Sequence, residues 1–323
     1  MPAAPGRSEF GLIGRYFSAL GARREDVALG VGDDAAVLVP PAGEQLVACI
    51  DTLVEGVHFP RGCEPRSVGH RALAVNLSDL AAMGARPAWA LLALTLPAVD
   101  ESWLERFAAG LGELAREHGV ALVGGDTTAG PLCITVQALG FVPAGAALTR
   151  TGGRPGDAVF VSGTPGDAAA GLLLEQGRLK ADEAENDALR QRFLYPAPRL
   201  ALGQRLRGLA SACIDVSDGL LADCGKLAAA SGCGVVIDCE ALPLSAALRT
   251  ATPEAATLAL TGGDDYELAF AVPQSRVPAL LAAAPPARWG YQRIGELVHE
   301  PGAVARRAGA VLPVASAGYD HFG

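Results

Sequence analysis

The pattern of apolar and polar positions along the chain shifts repeatedly between two periods. Short apolar runs at residues 45–51, 120–124 and 132–142 predict buried strands. The segments 66–83 and 101–119 carry apolar residues at helical spacing instead, and they predict helices. Because strands and helices alternate in this way, the first half of the chain is typical of a mixed α/β or α+β protein.

A stretch without periodicity separates these elements from a second set. Residues 143–157 are rich in Gly, Pro and Ala, and we place a boundary there between domains at 1–145 and 146–323. A chain of 323 residues is also longer than one hydrophobic core usually supports. Beyond the boundary, the pattern predicts strands at 158–163, up to residue 214, at 234–238 and at 267–272, and helices at 167–176, 180–193 and 217–230.

The overall composition excludes several functional classes. Half of the residues are apolar and the net charge is −9 without a basic stretch, so we expect a folded protein that binds no nucleic acid. The longest near-apolar run, Ala88 to Val99, is too short to span a bilayer, and the N-terminus has no signal-peptide pattern. The seven cysteines include no Cys-x-x-Cys pair, which fits free thiols in the cytoplasm rather than disulfides or a zinc site.

Aspartate, usually beside glycine, follows apolar runs at several places in the sequence. A single Asp–Gly pair is more typical of a turn or a helix cap. An unpaired carboxylate at the end of a buried strand is costly, however, and the chain has only two lysines, Lys180 and Lys226, to neutralise so many acids. Arginines or divalent cations must supply the remaining positive charge. The pattern occurs at residues 32–34, 50–52, 124–128, 214–219 and 262–265.

One further acid lies within a helix. Asp79 falls in the segment 72–83, which is apolar on nearly every face, so we expect it to be buried. Asn76 precedes it by three residues and shares its face of the helix. Carboxylate and amide oxygens favour Mg²⁺ or Ca²⁺ over zinc, and no calcium loop of the Asp-x-Asp-x-Asp-Gly type occurs. Magnesium held by a few carboxylates usually shares its coordination with substrate phosphates, so a phosphate substrate is expected.

The common nucleotide-binding motifs are missing from the sequence. Neither lysine lies in a Gly-Lys-Ser/Thr sequence, which excludes a P-loop. No protein-kinase catalytic loop, Asp-Phe-Gly sequence or Gly-x-Ser-x-Gly elbow is present. The loop at residues 163–171 fits a phosphate cradle that opens a helix, but it fits a tight turn and cap equally well. The residues alone therefore indicate magnesium and phosphate chemistry, and if ATP binds, it does so through a less common architecture based on acids and metals.

The order of these motifs along nearly the whole chain closely resembles the thiamine-monophosphate kinase family. This family lies within the aminoimidazole-ribonucleotide-synthetase-like superfamily. The resemblance is specific because it depends on many segments in sequence. These are residues 9–10, 15–17, 30–35, 51–59, 74–85, 124–128, 148–150, 163–167, 214–219, 262–268 and 318–322.

The resemblance implies a fold, an assembly and a reaction. It implies two α/β domains, the first of which binds ATP and magnesium and forms a homodimer through a shared β-barrel. The second domain would complete the nucleotide and substrate site. The implied reaction is the ATP-dependent phosphorylation of thiamine monophosphate to thiamine diphosphate, by direct in-line transfer assisted by several Mg²⁺ ions. No residue would act as a covalent nucleophile, because the acceptor is itself a phosphate oxygen.

Site residues carry over from the family position by position. The implied magnesium ligands are Asp34, Asp51, Asp79, Asp126, Asp215 and Asp218. The implied ATP contacts are Gly125, Asp126, Arg150 and Ser217, and the implied thiamine phosphate contacts are His58, Asp264 and Tyr319. Two positions depart from the family pattern. Asp264 replaces a usual glutamate, and Cys49-Ile50 replaces a hydroxyl-bearing pair, which puts the weakest metal site in doubt.

Two alternatives remain open at this stage. Another enzyme of the superfamily, of the aminoimidazole-ribonucleotide or selenophosphate synthetase type, is one. The selenophosphate enzymes, however, have a reactive cysteine or selenocysteine and a lysine near the N-terminus, whereas the first lysine here is Lys180. A hydrogenase-maturation relative would end in cysteine, and this sequence ends in His-Phe-Gly. The second alternative is a non-catalytic nucleotide- or metal-binding protein with the same fold.

Overall fold

The computed structural model describes residues 8–314 together with Gly318, Tyr319 and His321. Asp320 and Phe322 of the C-terminal motif lie outside the described residues. The chain divides into two compact units. Unit 1 comprises the described part of residues 1–80 with residues 85–145, and unit 2 comprises residues 81–84 with the described part of 146–323. Among the described helices, none has both the length and the apolar character needed to cross a membrane.

Unit 1 is built on a four-stranded sheet, with two long helices packed on one face. Its helices are α1 (Glu9–Leu12), α2 (Pro65–Ala82) and α3 (Glu101–Glu117), and a π-helical turn covers Ile13–Phe17. Its strands are β1 (Val27–Leu29), β2 (Val37–Leu38), β3 (Glu44–Val54), β4 (Arg86–Leu96), β5 (Ala121–Ala129) and β6 (Cys133–Pro143). Within the described residues the sheet has the order β3-β6-β4-β5, in which β4 and β5 are parallel and the other neighbours antiparallel. Strands β1 and β2 form a separate antiparallel pair.

The helices of unit 1 approach closely because glycines lie between them. A Cβ atom at Gly69 of α2 would lie 2.0 Å from the carbonyl oxygen of Phe107, and one at Gly110 of α3 would lie 1.9 Å from that of Arg66. Any side chain at either position would therefore force the two helices apart. Helices and sheet also enclose a small apolar cavity, whose walls include Leu73, Leu92, Leu111 and Val136.

Strand β4 covers most of the apolar run that the sequence pattern did not assign to an element. It lies between β5 and β6 and is buried on both faces over most of its length, so it lacks the alternation of a half-exposed strand. Pro87, which cannot donate a ladder hydrogen bond, lies where the register with β6 shifts before Trp89. The indole of Trp89 packs edge-on against Phe141, with ring centroids 5.0 Å apart. The predicted strands at 45–51, 120–124 and 132–142 and the helices at 66–83 and 101–119 are confirmed, with end points shifted by a few residues.

Unit 2 is built on a mixed sheet that has seven strands in the part of the chain described. The strands are β7 (Ala158–Ser162), β8 (Ala212–Val216), β9 (Gly234–Asp238), β10 (Glu267–Val272), β11 (Tyr291–Val298), β12 (Gly302–Arg307) and β13 (Ala310–Val311). Their order is β13-β12-β9-β11-β7-β10-β8, so β10 pairs with both β7 and β8 and is buried at every residue. The predicted strands of this half are confirmed, whereas β11, β12 and β13 were not predicted.

The helices of unit 2 pack around this sheet. They are α4 (Asp167–Glu175), α5 (Glu183–Leu194), α6 (Leu200–Leu206), α7 (Leu220–Ala230), α8 (Ala246–Ala251), α9 (Ala255–Thr261), α10 (Val277–Ala283) and α11 (Pro286–Trp289), with 3₁₀ turns at Cys239–Ala241 and Gln274–Arg276. Leu220, Leu221 and Leu227 of α7 share one apolar cluster with Ile214 and Val216 of β8. The loop between β8 and α7 is thus fixed at both of its ends.

Candidate active site

The predicted magnesium ligands of unit 1 lie on two faces of its sheet. In the ladder, Asp51 of β3 is level with Val136 of β6 and Leu92 of β4, which face the helices. Two residues earlier on the same face, the thiol of Cys49 lies 3.3 Å from the backbone oxygen of Asn76 in α2. The side chain of Asp51 therefore belongs to the side of the sheet on which α2 lies.

The Asp79 carboxylate is less buried than the helix pattern predicts. It is half-buried, although Asn76 one turn earlier is fully buried and donates its amide to the backbone oxygen of Ala72. The expectation that Asp79 is buried is therefore wrong in degree. A helix whose other faces are covered can still leave one polar position near solvent, and the sequence pattern does not locate such a gap.

Asp34 and Asp126 lie on the other side of unit 1, in one cavity of about 860 Å³. Both side chains are exposed. The backbone N–H of Asp34 donates to the carboxylate of Asp33, and that of Thr127 donates to the carboxylate of Asp126. The cavity is open and acidic, and its lining also includes Phe10, Ile50, Gly125 and Gln137.

Gly125, a predicted ATP contact, is required for the backbone path beside Asp126. Its φ angle is +150°, and a Cβ atom there would lie 1.8 Å from the carbonyl oxygen of Leu92 on β4. A side chain at this position is therefore excluded by the neighbouring strand. The adjacent Gly124 differs, because its nearest atom to an added Cβ is the Leu91 side chain at 3.6 Å.

The predicted substrate contact His58 is held by the turn that follows β3. Its Nδ1 atom accepts a hydrogen bond from the backbone N–H of Val54 at 3.0 Å, and its own backbone N–H donates to the carbonyl of Val54. Because Nδ1 is the acceptor, a neutral His58 ring carries its proton on Nε2. The ring is half-buried and fixed in one orientation by the strand it follows.

In unit 2, a buried carboxylate that the sequence did not single out shapes the loop with Asp215, Ser217 and Asp218. One oxygen of Asp223 accepts the backbone N–H groups of Ser217, Asp218 and Gly219 at 3.0–3.1 Å. These three N–H groups are thereby satisfied outside a helix, and the backbone of Gly219, with φ 137° and ψ 141°, is not helical, so α7 begins at Leu220 and not at the predicted residue 217. Asp215 itself lies at 5% exposure within β8.

The other oxygen of Asp223 pairs with a lysine. The Lys226 ammonium lies 2.8 Å from Asp223 and also pairs with the carboxylate of Asp218. Burial raises the pKa of Asp223, an effect that the hydrogen bond and charge of Lys226 only partly offset. Burial by itself lowers the pKa of Lys226, but its bonds to the two carboxylates raise that pKa above its ordinary value. The lysine therefore carries its charge at neutral pH.

Backbone hydrogen bonds bring Asp264 and Tyr319 to this same loop. The N–H of Asp264 donates to the carbonyl of Ser217 at 2.8 Å, and the N–H of Tyr319 donates to the carbonyl of Asp218 at 2.9 Å. Asp264 and Tyr266 both have positive φ angles, 73° and 51°, which non-glycine residues rarely adopt. The predicted positions for metal, nucleotide and substrate in unit 2 are thus joined around one loop.

Arg150, the remaining predicted ATP contact, lies in a segment tied to the start of β8. The carbonyl of Thr149 accepts the N–H of Cys213, and the carbonyl of Arg150 accepts the hydroxyl of Ser231 at 2.9 Å. The hydroxyl of Ser231 also accepts the N–H of Gly153. The backbone is therefore held firmly, while the guanidinium side chain is exposed.

Asp265 occupies the N-terminus of α4. Its fully buried carboxylate accepts the N–H of Gly166 at 2.7 Å and that of Ala168 at 3.3 Å. Burial raises its pKa well above the ordinary value for aspartate. These are the donors that a phosphate cradle at residues 163–171 would use, so the structure favours the turn-and-cap interpretation of that loop.

Glu267, at the start of β10, is the second buried acid that sequence reasoning missed. Its carboxylate accepts hydrogen bonds from Ser162 at 2.5 Å, from Arg192 at 2.5 Å, and from two nitrogens of Arg199 at 2.5 and 2.6 Å. Burial acts to raise its pKa, but the two guanidinium groups outweigh burial and the pKa is lowered. The sequence did contain a signal for this ion pair. An acid at the start of an entirely apolar strand is expected to be buried, and a buried charge needs a partner of opposite charge.

No three His, Cys, Asp or Glu side chains within the described ranges lie close enough together to hold one metal ion. The predicted set of six magnesium ligands therefore stays a prediction. Four of them belong to unit 1, divided between its two faces. The other two belong to unit 2, at the β8–α7 loop.

Comparison with known proteins places this arrangement in a family. Family models match residues 32–142 as "AIR synthase related protein, N-terminal domain" and residues 154–307 as "AIR synthase related protein, C-terminal domain". The thiamine-monophosphate kinase of Escherichia coli K12 is 49% identical over 97% of this chain and 98% of its own length.

Two solved structures agree with this match. The thiamine-monophosphate kinase from Stenotrophomonas maltophilia K279a has a TM-score of 0.83 and 48% identity, covering 90% of this chain and 93% of its own. AaThiL complexed with AMPPCP and TMP has a TM-score of 0.77 and 36% identity, covering 90% and 92%. The chain therefore belongs to the thiamine-monophosphate kinase family, with its two-part α/β fold of the AIR synthase-related type.

Proposed function

We propose that this protein transfers the terminal phosphoryl group of ATP to the phosphate of thiamine monophosphate, which yields thiamine diphosphate and ADP. The observation that carries the proposal is that predicted substrate, nucleotide and metal positions meet at one loop of unit 2. The backbones of Asp264 and Tyr319 are hydrogen-bonded to Ser217 and Asp218, so predicted substrate contacts adjoin predicted nucleotide and metal positions. Relatives named thiamine-monophosphate kinase over nearly the full chain length supply the identity of the acceptor.

The chemistry of the acceptor explains why acids, rather than a nucleophilic side chain, dominate these positions. A phosphate oxygen is largely ionised at neutral pH, so no strong general base is needed to activate it. The new bond joins this oxygen to the γ-phosphorus as the bond to the ADP oxygen breaks, in line on the opposite side. Catalysis then depends on alignment and on reducing the repulsion between two anionic groups.

The chemistry of the individual donors suits magnesium. Asp34, Asp126 and Asp218 present carboxylates with solvent-accessible surface, and these hard oxygen donors suit Mg²⁺. The pairing of Asp218 with an ammonium group supports its capacity to attract a cation. When bound, several Mg²⁺ ions would neutralise charge on the β- and γ-phosphoryl oxygens. We propose that Asp34, Asp51, Asp79, Asp126, Asp215 and Asp218 hold them.

The other predicted residues would then orient the two substrates. Gly125 lets the backbone pass close to the nucleotide, and the exposed fork of Arg150 suits a phosphate group. His58 can donate from Nε2, because Nδ1 is already an acceptor. Tyr319 presents an exposed aromatic ring that suits stacking on thiamine, with Asp264 beside the same loop.

We further propose that residues 1–145 provide most of the nucleotide and metal contacts and form a homodimer, and that residues 146–323 complete the site. Among the described residues, unit 1 exposes more large apolar side chains than unit 2, and β3 is an edge strand of its sheet. Exposed apolar surface on an edge strand favours association with a second copy. The exposed residues include Phe10, Val37, Val39, Leu46 and Ile50.

The test is a turnover assay with purified protein, ATP and MgCl₂. We expect ADP release that depends on thiamine monophosphate, with thiamine diphosphate identified by chromatography. Thiamine without its phosphate and reactions with EDTA serve as controls, and neither should give product. ADP release that is equal with and without thiamine monophosphate would reject the proposal and favour a binding protein or another enzyme of the superfamily.

A further inference from the structure

One of the two lysines in the sequence lies against a predicted magnesium ligand. The ammonium group of Lys226 on α7 pairs with Asp218 in the β8–α7 loop and with Asp223 one helical turn before it. The side chains of Lys226 and Asp218 are 44% and 36% exposed, whereas that of Asp223 is 2% exposed. The lysine is thus shared between one accessible carboxylate and one buried carboxylate.

The two carboxylates differ in what else they do. Asp223 uses its second oxygen to accept three backbone N–H groups of the loop, so it is fixed in place whether or not the lysine moves. Its first oxygen stays available to the ammonium group at 2.8 Å. Lys226 can therefore release Asp218 and keep a charged partner, so the movement leaves no buried charge uncompensated.

We propose that Lys226 is a tethered competitor for divalent cations at Asp218. In the metal-free protein its ammonium group neutralises that carboxylate, and a divalent cation must displace it to bind there. The inference rests on the proposed assignment of Asp218 as a magnesium ligand. Its consequence is that the lysine raises the cation concentration at which this part of the site fills.

The exposure of the pair sets the size of the effect. A partly exposed Lys–Asp pair contributes a factor of about two to five to an equilibrium constant. After displacement, the ammonium group remains on Asp223, close to the incoming cation, and like charges at short distance weaken binding further. Removing the charge of Lys226 should therefore strengthen divalent cation binding about three- to tenfold.

The experiment measures Mn²⁺ binding to nucleotide-free protein, by the loss of the free Mn²⁺ signal in electron paramagnetic resonance. We expect K226M, which keeps the length of the side chain and removes its charge, to bind Mn²⁺ about three- to tenfold more tightly than the wild type. K180M is the matched control, because Lys180 is the other lysine of the sequence and lies exposed outside any helix or strand. Its Mn²⁺ affinity should equal that of the wild type.

A second pair of variants identifies Asp218 as the carboxylate involved. In a D218N background, K226M should strengthen Mn²⁺ binding much less than it does with Asp218 present, because the competition for that carboxylate is gone and only the like-charge repulsion remains. K226R keeps the positive charge and should bind Mn²⁺ no more tightly than the wild type. Circular dichroism and thermal melting of each variant establish that it is folded.

The outcomes separate this proposal from the proposed function. Unchanged or weaker Mn²⁺ binding in K226M, in a protein that still phosphorylates thiamine monophosphate, overturns the competition and leaves the kinase assignment intact. Tighter binding in K226R, or a gain from K226M that is undiminished with D218N, also overturns it. If neither the wild type nor K226M binds Mn²⁺ and turnover is absent, both proposals fail together.

Discussion

At the scale of single residues, carboxylates of similar sequence context take very different roles. Asp223 and Asp265 are buried acceptors of backbone N–H groups, and Glu267 is clamped by two arginines. Asp34 and Asp126, by contrast, face an open cavity. Their sequences do not distinguish these roles, because the deciding partner is often distant: the N–H groups that bind Asp265 lie 97 and 99 residues away.

Asp51 provides the first prediction at this scale. Replacing Asp51 with asparagine keeps the size of the side chain but removes the charge proposed to bind magnesium, so kcat should fall at least ~100-fold, about 2.7 kcal/mol of transition-state stabilisation. The measurement is steady-state ADP release at saturating substrates, with circular dichroism to compare folding. Glu105→Gln, which makes the same charge change on the exposed surface of α3, is the control and should keep full activity. Full activity in the Asp51 variant would remove it from the metal cluster.

Glu267 provides a prediction about pH. Its pKa is lowered from the ordinary value of 4.5 in the folded state, so its ion pairs stabilise the fold above that value and are lost as the pH falls through the lowered pKa. Glu267→Gln leaves Arg192 and Arg199 without their carboxylate and should cost on the order of 3–5 kcal/mol near neutral pH. Urea unfolding of both proteins at a series of pH values measures the difference.

The difference in unfolding free energy between wild type and Glu267→Gln should shrink steadily in acid, because the wild type then loses the same charge by protonation. Groups far from Glu267 titrate equally in both proteins and cancel, whereas the pKa values of Asp167 and Asp265, which the Glu267 charge acts to raise, also change in the variant. A difference that stays constant from neutral pH down to the acid limit of folding would show that the Glu267 charge contributes nothing. The constant loss would then have to come from packing or hydrogen-bond geometry that glutamine cannot reproduce.

At the scale of elements, backbone geometry constrains the β5 segment that carries Asp126. Gly125→Ala places a methyl group against the carbonyl of Leu92 and forces an unfavourable φ angle. We expect a loss of roughly 1–3 kcal/mol in the free energy of unfolding, and weaker nucleotide binding as the strand shifts. Gly124→Ala is the matched control, because it has ordinary φ and room for the methyl group. Equal stabilities of the two variants in urea titrations would contradict this account.

Most elements, but not all of their limits, follow from the apolar pattern. Helix α3 begins after Asp100, whose carboxylate accepts the N–H of Trp103, close to the start predicted at residue 101. Strand β4 was missed because burial on both faces removes alternation. The start of α7 was misplaced because a carboxylate inside the helix, Asp223, holds the preceding residues as a loop. A loop in place of a predicted helical turn depends on side-chain hydrogen bonds of the folded chain, and the local apolar pattern contains no information about them.

At the scale of the whole molecule, the sequence predicted the fold class and family through its ordered motifs. Magnesium and phosphate chemistry followed from the aspartates, but the thiamine acceptor followed only from resemblance. The positions brought together in unit 2 depend on loops more than 45 residues apart in sequence, such as Ser217 with Asp264 and Asp218 with Tyr319. Periodicity describes local structure and therefore contains no information about these pairings.

The proposed homodimer gives a prediction at this scale. Ile50 is 62% exposed on edge strand β3, so Ile50→Glu should place a charge within the proposed interface and weaken association by about 2 kcal/mol or more, roughly 30-fold in Kd. Light scattering across a concentration series should give twice the chain mass for the wild type and a lower mass for the variant. Val311→Glu in unit 2, where Val311 is 63% exposed, is the control and should stay dimeric. A monomeric wild type would reject the proposed assembly.

The positive φ angles at Asp264 and Tyr266 have an evolutionary consequence. A non-glycine residue in this conformation costs on the order of 1 kcal/mol that glycine would avoid. If selection acted on stability alone, glycine would be favoured at position 264, and one nucleotide change converts an aspartate codon to a glycine codon. The aspartate that stands there instead is what a role for its side chain in substrate binding predicts, with stability given up in exchange for activity.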